Sequence, residues 1–175
     1  MTDTNDEISA MASDPQLSCI GPDFLIRTAK YNYTYQFTWL GRPIIQVPQD
    51  IIALQEIIWR ARPEVVLETG IAHGGSLVFY ASMLELIGGD GFVVGIDIDI
   101  RAHNRVQIEE HPMFQRIRMI QGSSVDAAVA QQVHRMCEGP RVLVVVDSNH
   151  THDHGLQELN LYSPLVKQGE LSSGL

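Results

Sequence analysis

Near the C-terminal end of the chain, the stretch RVLVVVDSNHTHDHGLQ (Arg141 to Gln157) runs an apolar segment straight into Asp147, then places His150, His152 and His154 at alternate positions. A carboxylate at the end of such a segment could bind a hard divalent cation such as Mg2+, which prefers oxygen ligands. His150, with an imidazole that ordinarily titrates near pH ~6.5, could act as general base toward a substrate hydroxyl. The rival reading is a zinc cage built from His150, His152 and His154. On a helix, however, His150 and His154 share a face while His152 points away from both, so the cage needs irregular backbone. His152 and Asp153 read better as the polar start of a helix, with Thr151 as cap and Asp153 favourable to the helix dipole. Chemistry is therefore assigned to Asp147 and His150.

Two further clusters sit after apolar runs. ETGIAHGGS carries Glu68, Gly70, Gly74, Gly75 and Ser76. Its glycines would let backbone approach a ligand closely, and the helix start behind them offers unpaired N–H groups. The spacing is not the G-x-G-x-x-G of dinucleotide sites, and Glu68 would repel a pyrophosphate. An acid there suits a ligand with an amino group or another positive charge; the competing reading is a turn that serves packing only. GIDID places Asp97 where it can accept from both hydroxyls of a ribose. GSSVD adds Gly122, Ser123 and Ser124, which could line an adenine pocket, although Ser124 with Asp126 also makes a good helix start. His73 is left open between ligand and solvent, and His103, His111 and His134 read as surface residues.

These side chains need elements to hold them. PQDIIALQEIIWRAR has helical periodicity, with Pro48 opening it and Arg62-Pro63 closing it. From Glu64 onward strand and helix alternate: EVVLE, a glycine turn and SLVFYASMLELIG; GFVVGID and a helix over about 101–110; RIRMIQ and a helix near 124–137; RVLVVVD and a helix over about 151–166. Nearly continuous apolar strands are buried on both faces, so the fold class is α/β, a doubly wound, mostly parallel sheet flanked by helices. In such sheets ligands bind beyond the carboxyl ends of the strands, where all the clusters above fall.

The 175 residues suffice for one domain with a real core. The reading divides them into a flexible tail over 1–22, an aromatic segment and helix over 23–62, and an α/β domain over 63–175. Tyr31, Tyr33, Tyr35, Phe37 and Trp39 alternate with other residues, as a strand or an aromatic lid would. A formal net charge of -9 argues against nucleic acid or anionic membrane as the main partner. Cys19 and Cys137 fit no metal spacing and suggest reduced thiols in the cytoplasm. No apolar run reaches the roughly 20 residues that span a bilayer, and the N-terminus lacks a signal-peptide pattern.

An acid, a glycine loop, a ribose-binding acid and a small-residue turn, in that order, point to a nucleoside ligand without phosphates. S-adenosylmethionine has the ribose, adenine, amino-acid end and sulfonium charge to match.

The stretches PQDIIALQEIIWRARPEVVLETGIAHGGSLVFYASML, GIDIDIRAHNR, GSSVD and VLVVVDSNHTHDHGLQELNLYSPLV resemble the cephalosporin hydroxylase family, itself similar to rhamnosyl and macrolide-sugar O-methyltransferases. The likeness runs from about Trp39 to Gly169. It implies a Rossmann-like class I S-adenosylmethionine-dependent methyltransferase fold with a Mg2+-assisted site. Glu68, Gly70 and Ser76 would hold the methionine end, Asp97 the ribose, and Ser123 and Ser124 the adenine; Asp147 would ligate the metal and His150 would be the base. The substrate would be a small hydroxylated or glycosylated metabolite, as in antibiotic hydroxylation and methylation. The family continues after PLVKQGE into a strand ending in paired acids that complete the metal site. Here the chain reads GELSSGL, so the expectation is a truncated or degenerate member lacking its last strands, with an incomplete Mg2+ site. An unpaired sheet edge would then invite homo-oligomers. Two other functions stay open: a cofactor-binding or oligomer-forming protein without catalysis, and a zinc-dependent hydrolase using the histidines.

Overall fold

The first helices come from local chemistry alone. In the computed structural model, which describes residues 4–166, the chain divides after Gln36 into two units. The first contains α1 (Thr4–Ala12), α2 (Pro15–Ala29) and a 3-10 turn at Tyr33–Tyr35. Asp14 caps α2, accepting from the Gln16 and Leu17 amides at 2.8 and 3.3 Å, and Pro15 takes the first turn, where its missing N–H is no loss. Of the segment read as a flexible tail, residues 4–12 and 15–22 are therefore helical, and no residue of α2 is buried. Pro22, where that reading placed a boundary, lies inside α2, which continues past it with one backbone donor fewer. The division into two units falls after Gln36. It splits the aromatic run, because only Phe37–Trp39 of it becomes a strand.

The second unit opens with a hairpin of β1 (Phe37–Trp39) and β2 (Arg42–Ile44), paired antiparallel. Its turn residues Leu40 and Gly41 have φ of 46° and 86°, the left-handed pair that matches strand twist in a two-residue connection. Then follow α3 (Pro48–Ala61), β3 (Val65–Thr69), α4 (Gly75–Ile87), β4 (Phe92–Asp97), α5 (Ala102–Glu109), β5 (Ile117–Gln121), α6 (Ala127–Met136), β6 (Val142–Val146) and α7 (His152–Tyr162). Asp126, not Ser124, caps α6.

The four later strands form one parallel sheet in the order β5-β4-β3-β6. All of β3 is buried because helices cover both faces. On one face Val66 and Val93 pack with Ile58 of α3, Leu77, Phe79 and Tyr80 of α4, and Ile108 of α5. On the other, Leu67, Val94 and Ile96 pack with Val133 of α6 and Tyr162 of α7. Each such side chain taken from water stabilises the fold by roughly 1.5–3 kcal/mol. The α/β doubly wound expectation is met. No helix among the described residues is long and apolar enough to cross a membrane.

The order matters for the site. The chain steps outward from β3 to β5, then returns to lay β6 on the other side of β3. A crevice therefore opens between β3 and β6 at the carboxyl ends of the strands.

Candidate functional site

The crevice narrows at Gly70. This residue follows β3 with φ of 96°, and a Cβ there would lie 2.1 Å from the Asp147 carbonyl oxygen. Only glycine lets the two strand ends approach so closely. A cavity of about 280 Å³ opens beside it, lined by Gly70, Ala72, Ile96, Asp97, Ile98, Ser123, Ser124, Asp147, Ser148, Asn149 and His154.

Asp97 ends β4 and ties the glycine loop down. Its Oδ2 accepts from the Ile71 and Ala72 amides at 2.8 and 3.1 Å, and Oδ1 accepts from the Asp99 amide at 3.0 Å. Asp97 thus both lines the cavity and holds the loop that borders it.

Glu68 does not line the cavity. It is 1% exposed beneath the loop, where Ser76 Oγ donates to its Oε2 at 2.6 Å. Its Oε1 is buried with no hydrogen-bond partner among the described residues. Burial pushes the Glu68 carboxyl up to about 8; hydrogen bonds from Ser76 and Tyr80 oppose this, and Asp147 and Asp97 add to it. A buried acid with an unmatched oxygen suits a positively charged partner.

Gly74 and Gly75 answer to packing rather than to close ligand approach. Cβ atoms on them would meet the Ile108 side chain at 2.3 Å and the Pro43 carbonyl oxygen at 2.2 Å. The loop is also held by Arg42, a 6%-exposed residue of β2. Its Nε donates to His73 O at 3.1 Å, and its terminal nitrogens donate to His73 O, Gln107 Oε1 and Asn104 Oδ1. Asn104 in turn donates to Ala72 O at 2.9 Å. Sequence reading missed this clamp, since nothing local ties position 42 to position 73.

Asp147 follows β6, with its amide donating to Thr69 O at 3.0 Å. Burial raises its pKa and the neighbouring His150 opposes the rise. His150 Nε2 lies 3.9 Å from Asp147 Oδ1, and its side chain is 83% exposed. His152 faces solvent beside Asp153 at 3.1 Å, while His154 turns inward. The three histidines do not converge, and the described residues contain no group of three or more metal-ligating side chains. His152 and His154 lie on α7, which begins at His152, while His150 lies in the irregular segment before it. For Mg2+ the described residues offer Asp147, outside any group of three or more candidate ligands. GELSSGL, where paired acids are expected, lies outside the described residues.

Of the residues singled out from sequence, Gly70, Asp97, Ser123, Ser124 and Asp147 thus meet at one cavity. Glu68 and Ser76 lie beneath it, and His150 stands outside its lining. Ala72, Ile96, Ile98, Ser148, Asn149 and His154 complete that lining. His111 and His134, read as surface residues, each make a hydrogen bond to a carbonyl, of Leu40 at 3.0 Å and Leu161 at 2.8 Å.

This arrangement has relatives. A family model described as Rhamnosyl O-methyltransferase/CmcI matches residues 31–172. A rhamnosyl O-methyltransferase of Mycobacterium tuberculosis is 31% identical over 136 residues, which is 76% of this chain and 54% of that protein. One of Mycobacterium leprae is 29% identical over 135 residues, covering 76% of this chain and 57% of its own length. The chain spans about half the length of the curated relatives it matches. A solved structure of CmcI with Mg and SAM aligns at TM-score 0.58 and 20% identity, over 77% of this chain and 55% of that one. The apo structure of CalS11, a TDP-rhamnose 3'-O-methyltransferase, aligns at TM-score 0.56 and 13% identity, over 91% of this chain and 70% of that one. At such identities the structural likeness is one of fold. The family match, together with the sequence relatives, decides membership: the chain belongs to the rhamnosyl O-methyltransferase/CmcI family.

Proposed function

We propose that this chain is the S-adenosylmethionine-binding part of an O-methyltransferase acting on a hydroxyl of a sugar or other small secondary metabolite. The observation that carries the reading is the placement of Asp97 and Asp147 on the wall of one cavity, with Glu68 buried beneath the glycine loop that borders it. Glu68 Oε1, buried and unmatched, suits the ammonium of an amino-acid end. Asp97 on the cavity wall suits ribose hydroxyls, and Ser123 and Ser124 suit the side of a base. The names of the sequence relatives point to a sugar hydroxyl as acceptor.

The cofactor supplies an electrophilic methyl group on a sulfonium. In this reading His150, exposed toward an incoming acceptor, takes the hydroxyl proton as the oxygen–methyl bond forms and the sulfur–methyl bond breaks. Holding the two partners in line is the larger contribution of such a site. Asp147 would be one ligand to Mg2+, and a single carboxylate leaves most of an octahedron to other ligands.

The test is titration calorimetry with S-adenosylmethionine and S-adenosylhomocysteine, followed by transfer of labelled methyl to rhamnose-bearing acceptors with and without Mg2+. Absence of binding would sink the reading. Binding without turnover in either condition favours the second reading, a cofactor-binding protein without catalysis. If turnover is found, His150→Ala should lower kcat at least ~100-fold and leave S-adenosylhomocysteine affinity nearly unchanged. Equal kcat in the variant removes His150 from the chemistry.

A further inference from the structure

Helix α2 buries none of its residues, yet its apolar side chains are not scattered around it. At helical spacing Leu17, Ile20, Phe24 and Leu25 fall on one stripe, and all four are exposed. Gly21 lies within the stripe, with nothing within 4 Å of the point where a Cβ would stand, so a second backbone can come close there. Thr28 donates its hydroxyl to the Phe24 carbonyl at 2.7 Å, which leaves its methyl group to extend the stripe. Ile26 stands on the opposite side of the helix. A continuous exposed stripe of this kind marks a contact surface, where single exposed apolar residues would not.

The charges beside the stripe indicate what covers it. Asp23 and Arg27 sit one turn apart on the same edge and pair with each other at 2.6 Å. Both are largely exposed, and such a pair contributes little where it is. A second copy of α2 laid antiparallel, with a two-fold axis near Leu25, brings Asp23 of each copy beside Arg27 of the other. A parallel copy sets like charge on like. The helix dipoles also favour the antiparallel arrangement. An edge that reads acid and then base is complementary to itself under a two-fold operation, the symmetry of a homodimer.

We propose that α2 is a self-association surface, pairing antiparallel with α2 of a second copy of this chain and covering the Leu17–Thr28 stripe on both. A 15-residue helix is about 22 Å long, so the interface is small and the dimer weak and reversible. The surface is separate from the outer strand β6, and nothing in it depends on the cofactor reading of the cavity.

Sedimentation equilibrium of the full chain tests this, with every sample also carrying Val146→Pro so that the open edge of β6 adds nothing. The chain should show a monomer–dimer equilibrium with a dissociation constant on the order of 10–100 μM. Ile20→Glu and Phe24→Glu should each raise that constant about tenfold or more, since each puts a carboxylate into the apolar contact. Ile26→Glu makes the same change on the opposite side and should leave the constant within about twofold. Because α2 has no buried residue, circular dichroism should show all three variants folded. Arg27→Glu should weaken the dimer, and Asp23→Arg combined with Arg27→Glu should restore it. A parallel pair, with like charge on like throughout, would register neither change. A chain that stays monomeric up to about 1 mM overturns the proposal. A dimer that survives Ile20→Glu, or that Ile26→Glu weakens as much, overturns it too, and so does one indifferent to Arg27→Glu.

Discussion

Glu68 and Asp97 are both acids at strand ends, and burial separates their behaviour. Asp97 spends its carboxylate on three backbone amides at the cavity wall. Glu68 is sealed beneath the loop, and its carboxyl is pushed up to about 8. A folded-state pKa above the ordinary 4.5 means that its contribution to stability is complete below pH 4.5 and is lost as pH rises through 8. Thermal unfolding of the empty chain should therefore show stability declining across that window, by an amount on the order of 5 kcal/mol, and Glu68→Gln should remove that part of the slope. The same shift predicts a proton released when the ammonium of an amino-acid ligand arrives near pH 7. Calorimetry of S-adenosylhomocysteine binding in buffers of different ionisation heat measures that proton directly. An equal release in wild type and Glu68→Gln would place its source elsewhere.

At the scale of elements, the glycine loop is shaped more by its neighbours than by its own sequence. Gly75 lies against the Pro43 carbonyl, Gly74 against Ile108, and the backbone at His73 and Ala72 is held by Arg42 and Asn104. The hairpin that carries Arg42 is seated by Trp39, which stacks edge-on against Phe79 at 4.9 Å and donates to Ser82 at 3.0 Å. The loop is therefore presented to the cavity by β2 and α5 together. Arg42→Ala should lower unfolding stability by roughly 2–4 kcal/mol, because it leaves buried carbonyls unmatched. It should also speed amide exchange across Ile71–Gly75. Denaturant unfolding and hydrogen exchange check the two effects. Exchange unchanged in that loop would mean that Asp97 alone holds it.

At the scale of the molecule, β6 is one of the two outer strands of the sheet among the described residues. The Asp147 amide bonds to Thr69, so by alternation Val142, Val144 and Val146 turn their backbone N–H and C=O groups away from β3. An apolar strand with an open edge is a template for pairing. Sedimentation over a concentration range should show self-association, and Val146→Pro, which removes an outward donor without touching a β3 hydrogen bond, should weaken it. A chain that stays monomeric throughout would show the edge to be protected.

The sequence by itself determined the α/β class, the four parallel strands and the rim on which the acids sit. Apolar runs and glycine punctuation are local signals, and a doubly wound sheet puts every strand end on one side. It also brought Gly70, Asp97, Ser123, Ser124 and Asp147 to that rim, because each ends a strand or lies within three residues of one. Only the tertiary structure decided which way each side chain faces. It buried Glu68, left His150 exposed, turned His154 onto Glu158 and Ser124, and set Arg42 under the loop. Those choices rest on contacts between residues tens of positions apart, such as Arg42 with His73 and Ser124 with His154, and close packing settles them all at once. The helices before Phe37 escaped the sequence reading for a different reason. Their caps are local, but their apolar residues face solvent, so no core pattern announced them.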